Sequence, residues 1–210
     1  MHMQTVLLLD LRRRIMRTSS IVRKTKETEI TMTLNIDGSG QANINTGVGF
    51  MDHMLELFAF HSGFDLEIQC IGDIKVDSHH TVEDLGIVLG DCIKEALGDK
   101  KGIYRYGQMA IPMDEALVTT TLDLSGRSYL VYHATLPAMI LGNFETEMTK
   151  EFFKAVSDHA FMTLHIQQVY GENTHHIIEA MFKSFARALK QAAAIDEVNK
   201  DKVISSKGML

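Results

Sequence analysis

Two hydrophobic rhythms alternate along the chain, and the alternation occurs twice. Thr33-Leu34-Asn35-Ile36-Asp37-Gly38 and Thr121-Leu122-Asp123-Leu124-Ser125-Gly126 each place apolar residues at every second position before a glycine, the pattern of a half-buried strand entering a turn. Leu66-Glu67-Ile68-Gln69-Cys70-Ile71-Gly72 and Leu164-His165-Ile166-Gln167-Gln168-Val169-Tyr170-Gly171 match in the same way, the second with one extra residue before its glycine. From about His79 the period lengthens: Val82, Leu85, Leu89, Cys92, Ile93 and Ala96 fall on one helical face. From about His175 the residues Ile178, Met181, Phe182, Phe185 and Leu189 do the same. Gly98 and the Asp-Lys-Lys-Gly run close the first of these helices. A shorter helix precedes the later strand of each copy, from Asp52 to His61 with Gly63 as its stop, and from Glu151 to about His159.

The order strand, strand, helix, strand, helix is therefore used twice. It predicts an α+β fold of two pseudo-symmetric repeats, about 23–100 and 104–195, each with its helices on one face of a sheet. Residues 16–210 read as one domain that ends in a tail, about 203–210, and residues 1–15 read as an extension of unassigned role.

Composition then removes several classes of function. With 210 residues, 45% of them hydrophobic, the chain can bury a substantial core. A net charge of -6 gives no general attraction to nucleic acid or to an anionic membrane, so any anion must be held by locally placed cations. Cys70 and Cys92 lack the paired spacing of a zinc knuckle and read as free thiols. Val6-Leu7-Leu8-Leu9 is too short to span a membrane, and Arg12-Arg13-Arg14 follows it where an export signal carries its charge first. A cytoplasmic protein is expected.

His79-His80-Thr81-Val82-Glu83 in one repeat and His175-His176-Ile177-Ile178-Glu179 in the other carry the chemistry. Positions i and i+4 of a helix share a face, so His79 with Glu83, and His175 with Glu179, can hold one ion. His80 and His176 point about 100° away, because a helix has about 3.6 residues per turn, and would reach a second ion. One helical histidine is ordinarily a satisfied core or surface residue. The same five-residue spelling at matching places of a repeat is not a chance product, and imidazole plus carboxylate suits Mn, Fe, Zn or Ni. His53 lies 26 residues before His79, and Glu151 lies 24 before His175, as positional counterparts that would complete two mixed sites. His165 matches Glu67 on the outward side of a strand and is read as solvent-facing.

These motifs resemble those of the imidazoleglycerol-phosphate dehydratases. The resemblance is carried by Thr46 to Leu55, Asp77 to Asp84, Pro112 to Leu117, Asp123 to Arg127 and Asn173 to Lys183, and runs from about Met16 to the C-terminus. It implies a fold like domain 2 of ribosomal protein S5, two Mn2+ ions per active site, sites built between subunits and a 24-subunit shell. It carries metal ligation to His53, His79, His80, Glu83, His175, His176 and Glu179, acid-base work to Glu27, and phosphate binding to Arg105, Arg127, Lys183, Ser205 and Lys207. His61 would line the pocket. Many members have a histidine where Lys150-Glu151-Phe152-Phe153 places Glu151, so a carboxylate would stand in for an imidazole ligand.

The implied reaction converts imidazole glycerol phosphate to imidazole acetol phosphate and water in histidine biosynthesis, a carbon-oxygen lyase step. The proton to be removed is not next to a carbonyl, so the imidazole ring must take up the developing charge, which Mn2+ would stabilise as an imidazolate. Glu27 would move protons at the side-chain carbon. Two other readings stay open at this point: a two-metal hydrolase, which would release inorganic phosphate, and a metal-storage protein, which needs neither Glu27 nor Ser205-Ser206-Lys207-Gly208.

Overall fold

The computed structural model describes residues 17–210, and the extension assigned to residues 1–15 lies outside them. Strands β1 (Thr18–Lys24) and β2 (Thr28–Asn35) form the first hairpin, followed by β3 (Ala42–Asn45), helix α1 (Gly49–Ser62), β4 (Asp65–Gly72) and helix α2 (His79–Leu97). The second copy runs β5 (Tyr106–Met113), β6 (Ala116–Asp123), β7 (Tyr129–His133), a small hairpin β8 (Ile140–Leu141) and β9 (Phe144–Glu145), then α3 (Met148–Ala160), β10 (Thr163–Tyr170) and α4 (Thr174–Ala193). The sheets have matching orders, β1-β2-β4-β3 and β5-β6-β10-β7.

The α+β fold of two repeats is as the hydrophobic rhythm predicts, with an extra strand in each copy. β3 and β7 run parallel to β4 and β10 at one sheet edge. β3 has only four residues, Ala-Asn-Ile-Asn, none of them buried, so no buried alternation betrays it. α1 and α3 begin about a turn before the positions that the periodicity marks. Neither has a side-chain cap at its N-terminus, so the usual start signal is missing from the sequence. Where such signals exist the boundary is sharp: Gly63 ends α1 in the left-handed region at φ 74°, a conformation glycine adopts without steric cost. Pro112 sits in β5, an edge strand where its missing N–H costs no ladder bond.

Each sheet turns its alternate apolar residues toward helices and leaves the other face open. In β2, Ile30, Met32 and Leu34 are fully buried while Glu29 and Thr31 are exposed. His165 and Glu67 both lie on exposed positions. α2 packs on β1 and β2, and α4 on β5 and β6, but the helices also cross between repeats: α2 lies on α3, and α1 on α4. Phe58 of α1 stacks on Phe185 of α4 at 5.7 Å between ring centroids. Gly86 and Gly90 let α3 approach α2: a Cβ on Gly86 would stand 2.7 Å from the Phe152 carbonyl oxygen, and one on Gly90 2.9 Å from that of Val156. This exchange of partners matters chemically, because it brings the short helix of each repeat to the long helix of the other. Among the described residues no helix is long and apolar enough to cross a membrane.

Candidate metal centre and substrate cleft

The N-terminal turn of α4 meets the N-terminal part of α1. Asn173 caps α4, its side-chain oxygen accepting from the backbone N–H of His175 at 3.0 Å and of His176 at 3.4 Å. Asp52 fixes the start of α1 by accepting from the backbone N–H of Thr46 at 2.8 Å. Held in this way, His53 Nε2 stands 3.8 Å from Glu179 Oε2, and His175 Nε2 stands 3.2 Å from the same oxygen. The donor atoms of His53, His175 and Glu179 all lie within 4.8 Å of one another, the one such group of three among the described residues. Phe50 closes one side, edge-on to His175 at 5.1 Å between centroids. Burial pushes the Glu179 carboxyl up, but the Lys183 ammonium at 2.5 Å and the His53 and His175 rings outweigh it, and the group stays ionised below its ordinary range. A buried carboxylate, two imidazoles and an open mouth form a donor set suited to a divalent first-row ion.

The matching elements of the other repeat pair assemble a second cleft of about 450 Å³, lined by His79 and Glu83 of α2, Glu151 of α3, and by Asp77, Glu145 and Glu147. His79 Nε2 lies 3.8 Å from Glu83 Oε2. Glu151 shares this cleft, as the counterpart of His53, but the three donors do not close to the spacing of the first set. The β8–β9 hairpin joins the two places. Asn143 donates to the Gly47 carbonyl at 2.8 Å just before α1, Glu145 accepts from Ser78 at the start of α2, and Phe144 packs on Phe50 at 5.1 Å.

His80 and His176 turn away from these sets, as the helical spacing requires, and each meets carboxylates. His80 Nδ1 is 3.0 Å from Asp73 and its Nε2 is 3.8 Å from Glu27. His176 Nδ1 is 2.7 Å from Glu115 and its Nε2 is 3.8 Å from Asp114. The hydrogen bond that His80 donates to Asp73 raises the His80 pKa, and the one that His176 donates to Glu115 raises the His176 pKa. The His176 contact, followed by the Asn173 backbone N–H, holds the Glu115 carboxyl down at about 2. Asp73, Asp114 and Glu115 did not stand out in the sequence by spacing, because they reach the rings from a loop and a hairpin turn.

The residues expected to bind phosphate divide between two places. Arg105, Arg127, Ser205 and Lys207 line one cleft of about 340 Å³ beside the C-terminal tail. Arg105 holds that tail through the Ile204 carbonyl at 2.5 Å and is itself fixed by Asp123 at 2.7 Å. Lys183 and His61 belong instead with Glu179: burial, then the charges of Lys183 and Arg187, lower the His61 pKa. The two places lie at opposite ends of α4. The Arg105 backbone N–H bonds to the Ala192 carbonyl in its last turn, whereas His175 opens the helix, so a rise of 1.5 Å per residue separates them by roughly 25 Å.

A family model described as imidazoleglycerol-phosphate dehydratase matches residues 46–189. A protein of Acetivibrio thermocellus named imidazoleglycerol-phosphate dehydratase is 60% identical over 190 residues, covering 90% of this chain and 97% of its own length. One of Geobacter sulfurreducens with the same name is 54% identical, covering 92% of this chain and 99% of its own. Among solved structures, the Staphylococcus aureus imidazoleglycerol-phosphate dehydratase superposes with a TM-score of 0.77 at 46% identity, over 85% of this chain and 99% of that one. The Pyrococcus furiosus structure, in complex with (S)-C348, gives 0.78 at 36% identity over 90% of this chain and 100% of that one.

Proposed function

Because this chain belongs to the imidazoleglycerol-phosphate dehydratase family and is a hydro-lyase of histidine biosynthesis, we propose that it converts imidazole glycerol phosphate to imidazole acetol phosphate with Mn2+ held by its repeated His and Glu motifs. The observation that carries the metal reading is the convergence of His53, His175 and Glu179 from helices of different repeats within 4.8 Å. His79, Glu83 and Glu151 form the corresponding second set, and His80 and His176 offer further imidazole donors, enough for two Mn2+ ions per active site. Held by these residues, Mn2+ would supply the positive charge that stabilises the substrate's imidazole ring as an imidazolate, the form able to push electron density toward the carbon that loses hydroxide.

The protein groups do the remaining work. Glu27, on the exposed turn between β1 and β2 and 3.8 Å from His80, takes the proton from the side-chain carbon next to the one that loses hydroxide; that proton and the hydroxide leave as water, and the enol left behind ketonises to imidazole acetol phosphate. Arg105, Arg127, Ser205 and Lys207 hold the phosphate dianion through charge-assisted hydrogen bonds, while Lys183 and His61 flank the ring-binding end. A molecule of one imidazole ring, three carbons and a phosphate is far too short to touch both ends of α4 in one copy. The working site therefore combines the metal donors of one copy with the phosphate cleft of another, in keeping with a 24-subunit shell working in the cytoplasm. The test is to strip the protein with a chelator, add imidazole glycerol phosphate, and restore Mn2+. Imidazole acetol phosphate should form only after restoration, with no inorganic phosphate released. Undiminished turnover by the stripped protein would overturn the metal assignment.

A further inference from the structure

The two histidines that turn away from the three-donor sets share a feature that repeat symmetry alone does not create. Each has a carboxylate on Nδ1, yet the carboxylates come from different parts of the two repeats. Asp73 lies in the loop before α2, whereas Glu115 lies on the β5–β6 turn. By contrast, the groups facing Nε2, Glu27 and Asp114, come from the equivalent hairpin turns. A simple duplication would supply the same Nδ1 partner twice. Here the contact recurs and the supplying segment differs.

A neutral imidazole carries one N–H, and the nitrogen that faces an ionised carboxylate keeps it. The other nitrogen then presents its lone pair. Both acids are built to stay in place. Glu115 is braced through its second oxygen, which accepts from the backbone N–H of Asn173 at 2.8 Å and of Glu172 at 3.3 Å, next to the residue that caps α4. Among the described residues Asp73 Oδ1 is buried without a hydrogen-bond partner while Oδ2 faces His80, a cost that a freely solvated carboxylate does not bear.

We propose that Asp73 and Glu115 are positioning residues for the metal: each accepts the Nδ1–H of its histidine, fixes the tautomer of His80 or His176, and aims the Nε2 lone pair at Mn2+. This rests on the reading of those histidines as ligands. Carboxylates in this outer position orient metal-binding imidazoles and raise their basicity. Neither residue touches the reacting atoms.

The test titrates metal-free protein with Mn2+ alone and follows the electron paramagnetic resonance signal of the free ion. Asp73→Ala and Glu115→Ala should each weaken binding by roughly 10- to 100-fold, and Glu115→Gln, whose amide oxygen still accepts from Nδ1–H, should recover most of that loss. Circular dichroism of the metal-free variants checks that they fold, and Asp73→Ala, in a loop, reads the proposal independently should Glu115→Ala unsettle the start of α4. His80→Ala and His176→Ala are run alongside. Loss of Mn2+ from the His variants with wild-type affinity in both Ala acid variants would overturn the positioning role and leave the ligands standing. Wild-type affinity in the His variants as well would overturn the ligand assignment, and the positioning role with it.

Discussion

Glu27 is exposed and stands beside His80, so its replacement separates chemistry from binding cleanly. Glu27→Gln keeps the shape and removes the basicity, and turnover should fall by at least about 10²-fold, the lower range for acid-base catalysis, with substrate affinity changed much less. Loss of binding with single-turnover chemistry intact would make Glu27 a binding residue instead. Arg127→Ala should act the other way, weakening apparent affinity by about 1.5 to 3 kcal/mol, the worth of a hydrogen bond to a charged group. The raised pKa values of His80 and His176 set a direction for pH. Below its pKa each ring is protonated and cannot bind a metal, so Mn2+ affinity should fall as the pH drops through a value above the ordinary 6.5 of histidine. Affinity that stays flat as the pH falls from well above neutral to below 6.5 would contradict the role of both rings. At this scale the sequence was legible wherever a spacing rule exists: the i, i+4 pairs His79 with Glu83 and His175 with Glu179 are adjacent in the structure. Asp73 and Glu115 were not legible, because no periodicity links a loop or hairpin acid to a ring on a helix.

The crossing of helices between repeats depends on the small residues of α2. Gly86→Ala or Gly90→Ala would raise helix propensity by up to about 1 kcal/mol but force a methyl group against α3 backbone. Overpacking of this kind costs about 1 to 3 kcal/mol. The expected outcome is a lower unfolding free energy in urea for either variant of the metal-free protein, together with displacement of Glu151 from His79 and Glu83. Unchanged or greater stability would mean that the seam is looser than its geometry indicates. The long helices and central strands could be read from their rhythm because one face of each is buried against the core. β3, β7 and the β8–β9 hairpin could not. They are short and sit at edges, and the hairpin owes its place to Asn143, Phe144 and Glu145 reaching the segments around α1 and α2. The swap that puts α1 on α4 was equally hidden, since two similar repeats give one pattern for both pairings.

Over the whole molecule, the governing distance is the length of α4, with the His53–His175–Glu179 group at its start and the Arg105–Arg127 cleft at its end. Glu27 meets His80 at the start of α2, and just past the far end of α2 Lys100 bonds the Leu124 carbonyl next to Arg105, so Glu27 too stands about a helix length from the cleft that Arg127 lines. On the composite-site proposal each copy would carry two half-sites facing different neighbours, and symmetric assembly would supply the missing half. Residue types alone could name both half-sites but not their separation, which only the folded helix imposes. The most direct test mixes two variants, each impaired for a different reason, and reads turnover at a substrate concentration well below the wild-type KM, where both losses show. Glu27→Gln subunits and Arg127→Ala subunits are dissociated together, reassembled with Mn2+, and assayed for imidazole acetol phosphate. Sites that draw Glu27 from one copy and Arg127 from another will include some with both groups intact, so activity should reappear in the mixture although neither variant regains it when reassembled alone. A mixture no more active than the two variants measured separately would contradict the composite site.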